Sequence, residues 1–372
     1  MKIGIDVTML VYTGSGVANY TYNLVKNLLL NNNANEYRLF YSSFRRPKNF
    51  YYLEEFKKLG AKVYDYRFPP SFLKLCWGKF HILPIEWLIG KVDVFFSSDF
   101  LRPPLLKGTR GVTTVHDLVW KIYPQYHEDW IVTSHEKKLE KTIRYQDTVI
   151  VDSQNTKQDL LRLYSQIGKN KIHVVYPGIG KEFKLKVKSQ KSKEILKKYG
   201  IDEKDNYLLY VGAIEPRKNL ELSIKVFNKL ITDNQSLITH FLIAGRAGWK
   251  NESVFQLVKD LNLEDKVKFI GYVDDEDLPY LYSASSLTLY LSSYEGFGLP
   301  PLEALSCGAK VLVGDNSSLK ETIDEKYRVK LNNLDTIVEK IIEILKDKTI
   351  VFNNKYSWNS SAEKFLKILE NI

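Results

Sequence analysis

The segment SSYEGFGLPPLEALSCGAKVLV, residues 292–313, contains a glycine-rich loop, a Pro-Pro pair and a second apolar run in direct succession. The apolar run SLTLYLSS, residues 286–293, leads into the loop, and AKVLVGD, residues 309–315, follows the Pro-Pro segment. Short β-branched runs separated by a helical stretch are typical of βα units that build a parallel sheet. Such sheets bind ligands at the carboxyl ends of their strands. The segment therefore predicts an α/β fold with a ligand site in its loop.

Two glutamates of this segment are candidate ligand-binding residues. Glu295 lies in the loop after the strand, and Glu303 is predicted in the first turn of the helix, where a carboxylate suits the helix dipole. We expect Glu295 to contact a sugar and Glu303 to bond ribose hydroxyls of the same extended ligand. The backbone amides of Phe297, Gly298 and Leu299 are expected to meet phosphate oxygens. A purely structural role for the pair is the alternative.

The same alternation of apolar runs and helical stretches continues along the whole chain, and it restarts after a lysine-rich stretch. A chain of 372 residues is also too long for one ordinary core. We therefore expect two Rossmann-like domains, residues 1–178 and 179–355, with a tail helix at about 356–372 that packs back on the first domain. The other predicted strands are residues 2–10, 36–43, 61–67, 92–98, 111–117, 147–153, 171–178, 206–215, 239–245 and 267–273.

The charge balance is strongly basic, with a formal net charge of +10 and a pI near 9.1. Nucleic acid, an anionic membrane surface and nucleotide diphosphates are all partners that such a balance favours. Much of the lysine excess lies in residues 181–200, which we interpret as a solvated linker and helix face. Because no nucleic-acid-binding motif accompanies the charge, we expect no nucleic-acid partner.

Composition also limits the class of protein. No window reaches the roughly 18 consecutive apolar residues of a membrane-spanning helix. The N-terminal run predicts a buried strand rather than a signal peptide, because Asp6 interrupts it, so we expect a cytoplasmic protein. The two cysteines, Cys76 and Cys307, are predicted core residues and are too few for a disulfide framework or a cysteine zinc site. We expect no metal site.

Two strand ends in the first half carry further candidates. In TGSGVANYTYNLVKNLL, residues 13–29, Gly14 and Gly16 permit positive φ and a close approach of the backbone to a ligand, at the N-terminus of a helix. A tight turn without ligand is the alternative. In GVTTVHDL, His116 follows a strand and is predicted to bond a sugar or phosphates, with Asp117 holding its orientation. A structural histidine that caps the loop is the alternative there.

The segment VGAIEPRKNL, residues 211–220, places cations where a helix is predicted to begin. The strand ends at Gly212, and Arg217 and Lys218 open the helix. Cations at a helix N-terminus oppose its dipole, so a bound diphosphate would remove the conflict. Arg217 offers a planar fork and Lys218 a point charge to neutralise a departing diphosphate. Exposed surface charge is the alternative.

Together these residues resemble the retaining glycosyltransferases of family 4, also called group 1, and the resemblance spans nearly the whole chain. It implies the GT-B fold, in which two Rossmann-like domains with parallel sheets face a central cleft. It also implies transfer with retention of configuration and without a divalent metal. The motifs that carry the resemblance are Glu295 to Glu303 in EGFGLPPLEALSCG, EPRKN at 215–219, GSG at 14–16, VHDL at 115–118 and VVYPG at 174–178.

The resemblance also assigns roles to the candidates. It implies that Glu303 binds the donor ribose and that Glu295 binds the transferred sugar. Arg217 and Lys218 would bind the diphosphate. Gly16 would lie at the donor or at the mouth of the acceptor site, and His116 would touch the sugar near its reacting carbon.

The chain departs from the family pattern after Gly212, and it contains an acidic run that could be mistaken for a metal motif. Many members carry arginine directly after the glycine corresponding to Gly212, where this chain has Ala213, and Arg217 beside the lysine is a candidate to compensate. The acidic run DDED, residues 274–277, is interpreted as N-cap and first-turn carboxylates of the next helix rather than as a metal motif. The strand before it ends at Tyr272 and Val273, which are expected to border the nucleotide base.

The resemblance favours GDP-mannose as the donor, and UDP-hexose donors remain an alternative because their users share most of these residues. The acceptor is expected to be a glycan or a lipid-linked glycan. Residues 68–89 mix aromatic, aliphatic and basic residues and are interpreted either as packing on the first domain or as an acceptor or membrane-interface surface at the inner face of a membrane. A sugar-nucleotide epimerase of the same fold and a non-catalytic scaffold that binds sugar nucleotides are the alternative functions.

Overall fold

The computed structural model describes residues 1–31, 34–47, 50–98, 100–186, 189–233, 237–347, 349–350 and 352–372. Two residues of the lysine-rich stretch interpreted as a linker, 187 and 188, lie outside the described residues. The chain forms two compact units, one of residues 1–178 with 356–372 and the other of residues 179–355.

The first unit contains a seven-stranded parallel sheet in the order β3-β2-β1-β4-β5-β6-β7. Its strands are β1 Lys2–Asp6, β2 Glu36–Ser42, β3 Lys62–Tyr66, β4 Val94–Ser97, β5 Arg110–Val115, β6 Thr148–Val151 and β7 Ile172–Val174. Its helices are α1 Gly16–Asn31, α2 Tyr52–Lys58, α3 Pro70–Leu73, α4 Glu86–Ile89, α5 Val119–Ile122, α6 Asp129–Arg144 and α7 Gln154–Leu163, with a π-helical segment at Lys74–Phe80 and 3-10 turns at Thr8–Val11, Pro124–Tyr126 and Lys169–Lys171.

The second unit contains a six-stranded parallel sheet in the order β10-β9-β8-β11-β12-β13. Its helices are α8 Gln190–Lys198, α9 Leu220–Asp233, α10 Glu252–Asp260, α11 Leu278–Ala284, α12 Leu299–Ser306, α13 Leu319–Thr322 and α14 Leu334–Lys346, with 3-10 turns at Pro216–Lys218 and Glu325–Tyr327. Its strands are β8 Tyr207–Val211, β9 His240–Ala244, β10 Val267–Gly271, β11 Leu287–Tyr290, β12 Val311–Gly314 and β13 Arg328–Val329.

The tail forms helix α15, Trp358–Glu370, and packs on α1 within the first unit. The Oγ of Ser357 accepts the amide of Ser360 and caps its N-terminus. Trp358, Phe365 and Leu369 are buried in the same core cluster as strands β1 and β2. The chain therefore returns to its first unit after completing the second.

Each predicted strand region contains a strand, and several of the strands are shorter than predicted. The first run, predicted as residues 2–10, leaves the sheet at Asp6 because the Asp6 carboxylate accepts the amide of Thr8 at 2.9 Å and turns the chain into the 3-10 turn Thr8–Val11. Strand β13 was not predicted because its two residues, Arg328–Val329, carry no alternating pattern. The α/β class and the parallel sheets are confirmed.

The strand order creates one switch point in each sheet. In the first sheet, successive strands are added on one side of β1 up to β3 and on its other side from β4 onwards, so the switch point lies between β1 and β4. In the second sheet the switch point lies between β8 and β11 in the same way. Loops that follow the two central strands diverge at such a point and leave room for a ligand. In the second unit these are the loops after Val211 and after Tyr290, which contain most of the predicted donor-site residues.

Candidate active site

Strands β8 and β11 are neighbours in the second sheet, so the loops at their carboxyl ends begin side by side. The first of these loops contains the 3-10 turn Pro216–Lys218, and the second contains Glu295. Residues almost eighty positions apart in the chain meet there. The structure therefore brings together three of the candidates, Arg217, Lys218 and Glu295.

Glu295 joins the two predicted cations. The Lys218 ammonium donates to Glu295 Oε1 at 2.8 Å and to the Tyr290 hydroxyl at 2.6 Å. The Arg217 guanidinium donates to Glu295 Oε2 at 2.6 Å and to Glu215 Oε1 at 2.7 Å. Lys218 and Glu295 are only 7% and 5% exposed. The four charged side chains form a compensated cluster of two cations and two carboxylates, which we call the Glu295 cluster.

The electrostatics of this cluster keep Glu295 ionised. Burial raises the pKa of Glu295, but the charges of Arg217 and Lys218 outweigh it and lower the pKa to about 2. For Lys218, burial and the Arg217 charge lower the pKa, and the carboxylates of Glu295 and Glu215 only partly oppose them. Any anion that enters this site must compete with Glu295 for the two cations.

The prediction that Arg217 and Lys218 open a helix and oppose its dipole is wrong. Arg217 and Lys218 lie in the 3-10 turn before α9, and Asn219, with φ of 53°, separates them from the helix. Their charges are balanced by Glu215 and Glu295 rather than left against the helix dipole. The segment EPRKN carries its own carboxylate partner, a signal that the sequence already contained.

Serines from the loop after β12 hold the backbone of Glu295. The Ser317 Oγ accepts the Glu295 amide at 2.9 Å, and the Ser318 hydroxyl donates to the Glu295 carbonyl at 2.9 Å. Gly298 has φ of 89°, and a Cβ there would lie 2.6 Å from Leu319, so only glycine fits this turn before α12. These contacts fix the backbone conformation of the loop from Phe297 to Leu299, the first residue of α12.

Glu303 occupies a different environment from the one predicted. It is the fifth residue of α12 and lies in the second turn, because the helix begins at Leu299 rather than at the prolines. The Tyr282 hydroxyl of α11 donates to Glu303 Oε2 at 3.3 Å. Burial raises the pKa of Glu303 to about 8, and the hydrogen bond from Tyr282 only partly opposes it. At neutral pH much of this carboxyl group is protonated.

The neighbouring strands add the other donor-site candidates. Gly212 has φ of 152°, and a Cβ there would lie 2.8 Å from the Tyr210 hydroxyl, so the backbone at the end of β8 requires glycine. Tyr272 follows β10 and is 39% exposed, with the Arg246 guanidinium 4.6 Å from its ring centroid. Val273 is buried. An exposed aromatic ring stacked on a guanidinium is a flat surface of the kind that packs on a base.

The interpretation of residues 274–277 as N-cap and first-turn carboxylates holds for the N-cap position of Asp277, but not for a capping bond or for the first turn. None of them lies in the first turn of α11, and Asp277, at the N-cap position, makes no capping bond. The carboxylates of Asp274 and Asp277 instead accept hydrogen bonds from Lys198 at 2.9 and 2.7 Å. Within the described ranges, no group of three or more His, Cys, Asp or Glu side chains is placed to hold a metal ion.

In the first unit, His116 is held by a residue that the sequence argument missed. Its Nδ1 lies 2.7 Å from Asp152 Oδ2, and the ring of Tyr20 packs edge-on against it at 4.7 Å. Asp117, the predicted partner, instead accepts the amide of Val119 at 3.1 Å. Burial raises the pKa of Asp152, and His116 partly opposes the shift. Asp152 follows β6, the neighbour of β5, so its position after the run TVIV was the available signal.

The glycine turn of the first unit matches the expectation at one of its two glycines. Gly14 has φ of 77° and needs glycine, whereas Gly16 is the first residue of α1 and has no positive φ. A Cβ at Gly16 would meet nothing within 4 Å, so the space in front of this helix end is open. Cys76 and Cys307 are free and buried, as predicted for core residues.

Residues 68–89 contain both buried and exposed apolar side chains. Trp77 and Ile85 are buried in the core of the first unit. Phe80, Ile82 and Trp87 are 56%, 55% and 69% exposed. No described helix is both long and apolar enough to cross a membrane. The segment is therefore a packed element with an exposed apolar side.

Two doubly wound parallel sheets in one chain, the second with a cation–carboxylate cluster at its switch point, define the GT-B class of α/β proteins. Residues 191–370 match the family described as glycosyl transferases group 1, and residues 14–183 match glycosyltransferase family 4. The chain therefore belongs to the family 4, or group 1, glycosyltransferases.

Several relatives and solved structures are similar to this chain. The O-antigen chain mannosyltransferase B of Escherichia coli is 27% identical over 93% of this chain and 91% of its own length. The O-antigen chain mannosyltransferase RfbU of Salmonella typhimurium is 34% identical over 62% of this chain and 60% of its own length. The crystal structure of HepE from Anabaena in complex with UDP and glucose shares the fold, with a TM-score of 0.74 at 16% identity over the full length of both chains.

Proposed function

We propose that this glycosyltransferase is a retaining, metal-independent hexosyltransferase that moves mannose from GDP-mannose to a glycan or lipid-linked glycan acceptor in polysaccharide biosynthesis. The observation that carries the proposal is the Glu295 cluster, in which a buried carboxylate holds two cations at the switch point of the second sheet. The names of the two O-antigen mannosyltransferase relatives support mannose as the transferred sugar.

The cluster supports a defined exchange of partners when the donor binds. A diphosphate carries enough negative charge to take over the Arg217 fork and the Lys218 ammonium. Glu295 then no longer pairs with Arg217 and Lys218, and its carboxylate can accept hydrogen bonds from the hydroxyls of the hexose. The amides of Phe297, Gly298 and Leu299, at the start of the eight-residue helix α12, supply further donors for phosphate oxygens.

The main role of the protein in the proposed reaction is to stabilise charge. The bond between the anomeric carbon and the diphosphate oxygen breaks, and a bond from the acceptor oxygen forms on the same face of the sugar. The acceptor proton passes to the departing phosphate oxygen. Arg217 and Lys218 stabilise the negative charge that develops on the leaving group, without a metal ion.

The remaining candidate residues complete the assignment. Glu303 is proposed to accept hydrogen bonds from the donor ribose, and Tyr272 with Val273 to border the base. His116, oriented by Asp152, is proposed to hydrogen-bond the transferred sugar near its reacting carbon. Gly16, next to the positive-φ turn at Gly14, leaves open space at the start of α1 that is proposed for the donor or for the acceptor.

Calorimetric titration with GDP, UDP and ADP in the presence of EDTA tests the donor assignment. The proposal expects selective binding of GDP without added metal, weakened in Lys218→Ala. The matched control is Lys225→Ala, because Lys225 lies exposed on the adjoining helix α9. Selective binding of UDP would replace the donor by a UDP-hexose. No binding of any nucleotide would contradict both the proposed transferase and the scaffold that binds sugar nucleotides.

A second assay tests the reaction itself. Incubation of the enzyme with GDP-mannose and a lipid-linked glycan should yield an extended glycan and GDP, with the α-configuration of the donor retained in the product. Conversion of the sugar nucleotide with no acceptor present would instead identify the epimerase alternative. The exposed apolar side of residues 68–89 supports peripheral contact with the inner face of a membrane, where such an acceptor would be presented.

A further inference from the structure

Tyr290 is the last residue of β11, and the reaction as described gives it no role. Its hydroxyl accepts a hydrogen bond from the Lys218 ammonium at 2.6 Å. The same ammonium lies 5.0 Å from the centroid of the Tyr290 ring. Both side chains are buried. The phenol is therefore a partner of a buried cation that the mechanism needs.

The second sheet fixes the position of this phenol. The Tyr290 ring stacks on the ring of Tyr210, with the centroids 5.8 Å apart and an angle of 16° between the planes. Tyr210 belongs to β8, the strand paired with β11, and its hydroxyl donates to the Ala213 carbonyl at 2.9 Å. Two packed rings on neighbouring strands hold each other in one orientation. The Tyr290 hydroxyl consequently has a defined place at the carboxyl edge of the sheet.

The Tyr290 hydroxyl also stays neutral. Burial and the charge of Glu295 raise the pKa of Tyr290 well above its ordinary value. A neutral oxygen accepts a hydrogen bond from an ammonium group without cancelling its charge. Glu295 is the opposite case, because its carboxylate lies 2.8 Å from the Lys218 ammonium and compensates it.

Arg217 and Lys218 differ in the partner that remains when a diphosphate displaces Glu295. Arg217 keeps Glu215, a carboxylate at 2.7 Å. Within the described part of the chain, the Lys218 ammonium has Glu295 and Tyr290 as hydrogen-bond partners, so it keeps the phenol. Lys218 then presents its full charge at the end of a flexible four-carbon side chain. A fixed neutral acceptor restricts the position of that charge without weakening it.

We propose that Tyr290 is a positioning residue, which holds the Lys218 ammonium against the departing diphosphate after Glu295 has been displaced. The inference rests on the proposed function for the diphosphate, and on the contact between Tyr290 and Lys218 for the way in which the charge is held. Without the hydroxyl, Lys218 still attracts a diphosphate but is less well placed as charge develops on the leaving oxygen. The effect is therefore expected on turnover more than on nucleotide affinity.

Single-turnover transfer at saturating donor in Tyr290→Phe tests this expectation. The rate should fall about tenfold, and the dissociation constant of the nucleotide diphosphate should stay within about threefold of wild type. The matched control is Tyr207→Phe at the start of β8. Its hydroxyl is equally buried, since both tyrosines are 1% exposed, and donates to the Leu281 carbonyl at 2.7 Å.

The control separates positioning from general stability. Both variants lose one buried hydrogen bond, so their unfolding midpoints in denaturant should fall by similar amounts. Turnover should remain close to wild type in Tyr207→Phe. Equal loss of turnover in the two variants would overturn the inference, as would unchanged turnover in Tyr290→Phe.

A double-mutant cycle shows whether Tyr290 acts through Lys218. On a Lys218→Ala background there is no ammonium to hold, so adding Tyr290→Phe should change turnover by less than about twofold. A further loss of about tenfold on that background would show a merely structural role and overturn the inference. Loss of turnover in Lys218→Ala without any loss in Tyr290→Phe would also overturn it, and would leave the proposed function standing.

Proton uptake on nucleotide binding gives a measurement that needs no turnover. Burial and the charge of Arg217 lower the pKa of Lys218, and loss of a hydrogen-bond acceptor should lower it further. The other titratable or charged groups around Lys218 in the described residues are Glu215, Glu295, Tyr210 and Tyr290. Because a bound diphosphate favours the charged form of Lys218, binding at pH 9 should take up more protons in Tyr290→Phe than in wild type.

Calorimetry with GDP and with UDP, in buffers of different ionisation enthalpy, counts these protons. The difference between wild type and Tyr290→Phe should amount to a few tenths of a proton and should vanish on the Lys218→Ala background. Equal uptake in wild type and Tyr290→Phe would overturn the inference. The expected difference in a protein that transfers no hexose would support the hold of Tyr290 on Lys218 and contradict the proposed function.

Discussion

Glu295 and Glu303 belong to one motif, lie eight residues apart and have opposite protonation behaviour. Burial raises the pKa of both, but two cations beside Glu295 lower its pKa to about 2. The pKa of Glu303 stays raised, at about 8, because the Tyr282 hydroxyl opposes burial only partly and the charges of Asp275 and Glu182 raise it further. The first is an ion that compensates other charges, and the second is largely a neutral acid at pH 7. The same residue type in the same motif thus performs two different tasks because of its neighbours.

The largest effect expected from this difference is on stability. Glu295→Gln leaves Arg217 and Lys218 buried with half of their compensation, and breaking such a pair costs about 3–5 kcal/mol. Glu303→Gln replaces a largely protonated acid by a neutral isostere. Because the folded-state pKa of about 8 lies above the ordinary value, the variant should be at least as stable as wild type at pH 7. Denaturant unfolding of both variants beside wild type measures the two values. Equal losses would remove the distinction between the two carboxyl groups.

The pH dependence of stability gives the sign of each contribution. The folded-state pKa of Glu295 is below its ordinary value of 4.5, so its contribution is present above about pH 4.5 and is lost as the pH falls towards 2. The folded-state pKa of Glu303 is above 4.5, so its contribution is present below that pH and is lost as the pH rises towards 8. Unfolding curves from pH 5 to 8 should therefore favour Glu303→Gln increasingly over wild type.

The next largest effect is on turnover. Lys218→Ala removes an ammonium group that the Glu295 cluster holds in position for the departing diphosphate. Turnover should therefore fall by at least about 100-fold. Single-turnover transfer with saturating donor measures it, because saturation separates chemistry from donor binding. Lys225→Ala on α9 should retain turnover close to wild type. Near-normal turnover in Lys218→Ala would contradict the site assignment and leave the cluster as a structural ion pair.

Donor binding should depend on pH through Glu303 and not through Glu295. Because an ionised carboxylate accepts two ribose hydroxyls, binding should release a proton from Glu303, and affinity should rise by up to about tenfold per pH unit between pH 6 and 8. Calorimetry in buffers of different ionisation enthalpy counts the released proton. In Glu303→Gln the proton release should disappear. A wild-type affinity that is flat over this range would contradict the ribose role.

The smallest effect expected is that of Tyr282→Phe. The Tyr282 hydroxyl lowers the pKa of Glu303, so its removal should raise that pKa and move the pH dependence of donor binding to higher pH by a few tenths of a unit. The calorimetric series described for wild type measures the shift. A movement to lower pH would show that the hydroxyl does not act on Glu303 in the way that the structure indicates.

The fold class and the candidate donor-site residues were accessible from local patterns. The alternation of β-branched runs and helical stretches predicts parallel sheets, and the glycines and prolines around Glu295 predict a loop at the end of a strand. Helix details were less accessible. Helix α12 begins at Leu299, one residue earlier than predicted, so Glu303 is the fifth residue of the helix rather than the fourth. Asp274 and Asp277 form ion pairs with Lys198 and make no capping bond to α11. End positions depend on tertiary partners as well as on local propensity.

The sequence by itself determined the class of fold, the family and the set of charged residues at the strand ends, because these follow from periodicity and from motifs that are contiguous in the chain. Only the tertiary structure decided which charges meet. The pairing of Glu295 with Arg217 and Lys218, and of His116 with Asp152, requires that β11 lie beside β8 and β6 beside β5. Strand order joins distant residues, and the pKa of each carboxyl group follows from the charges and the burial that this order creates.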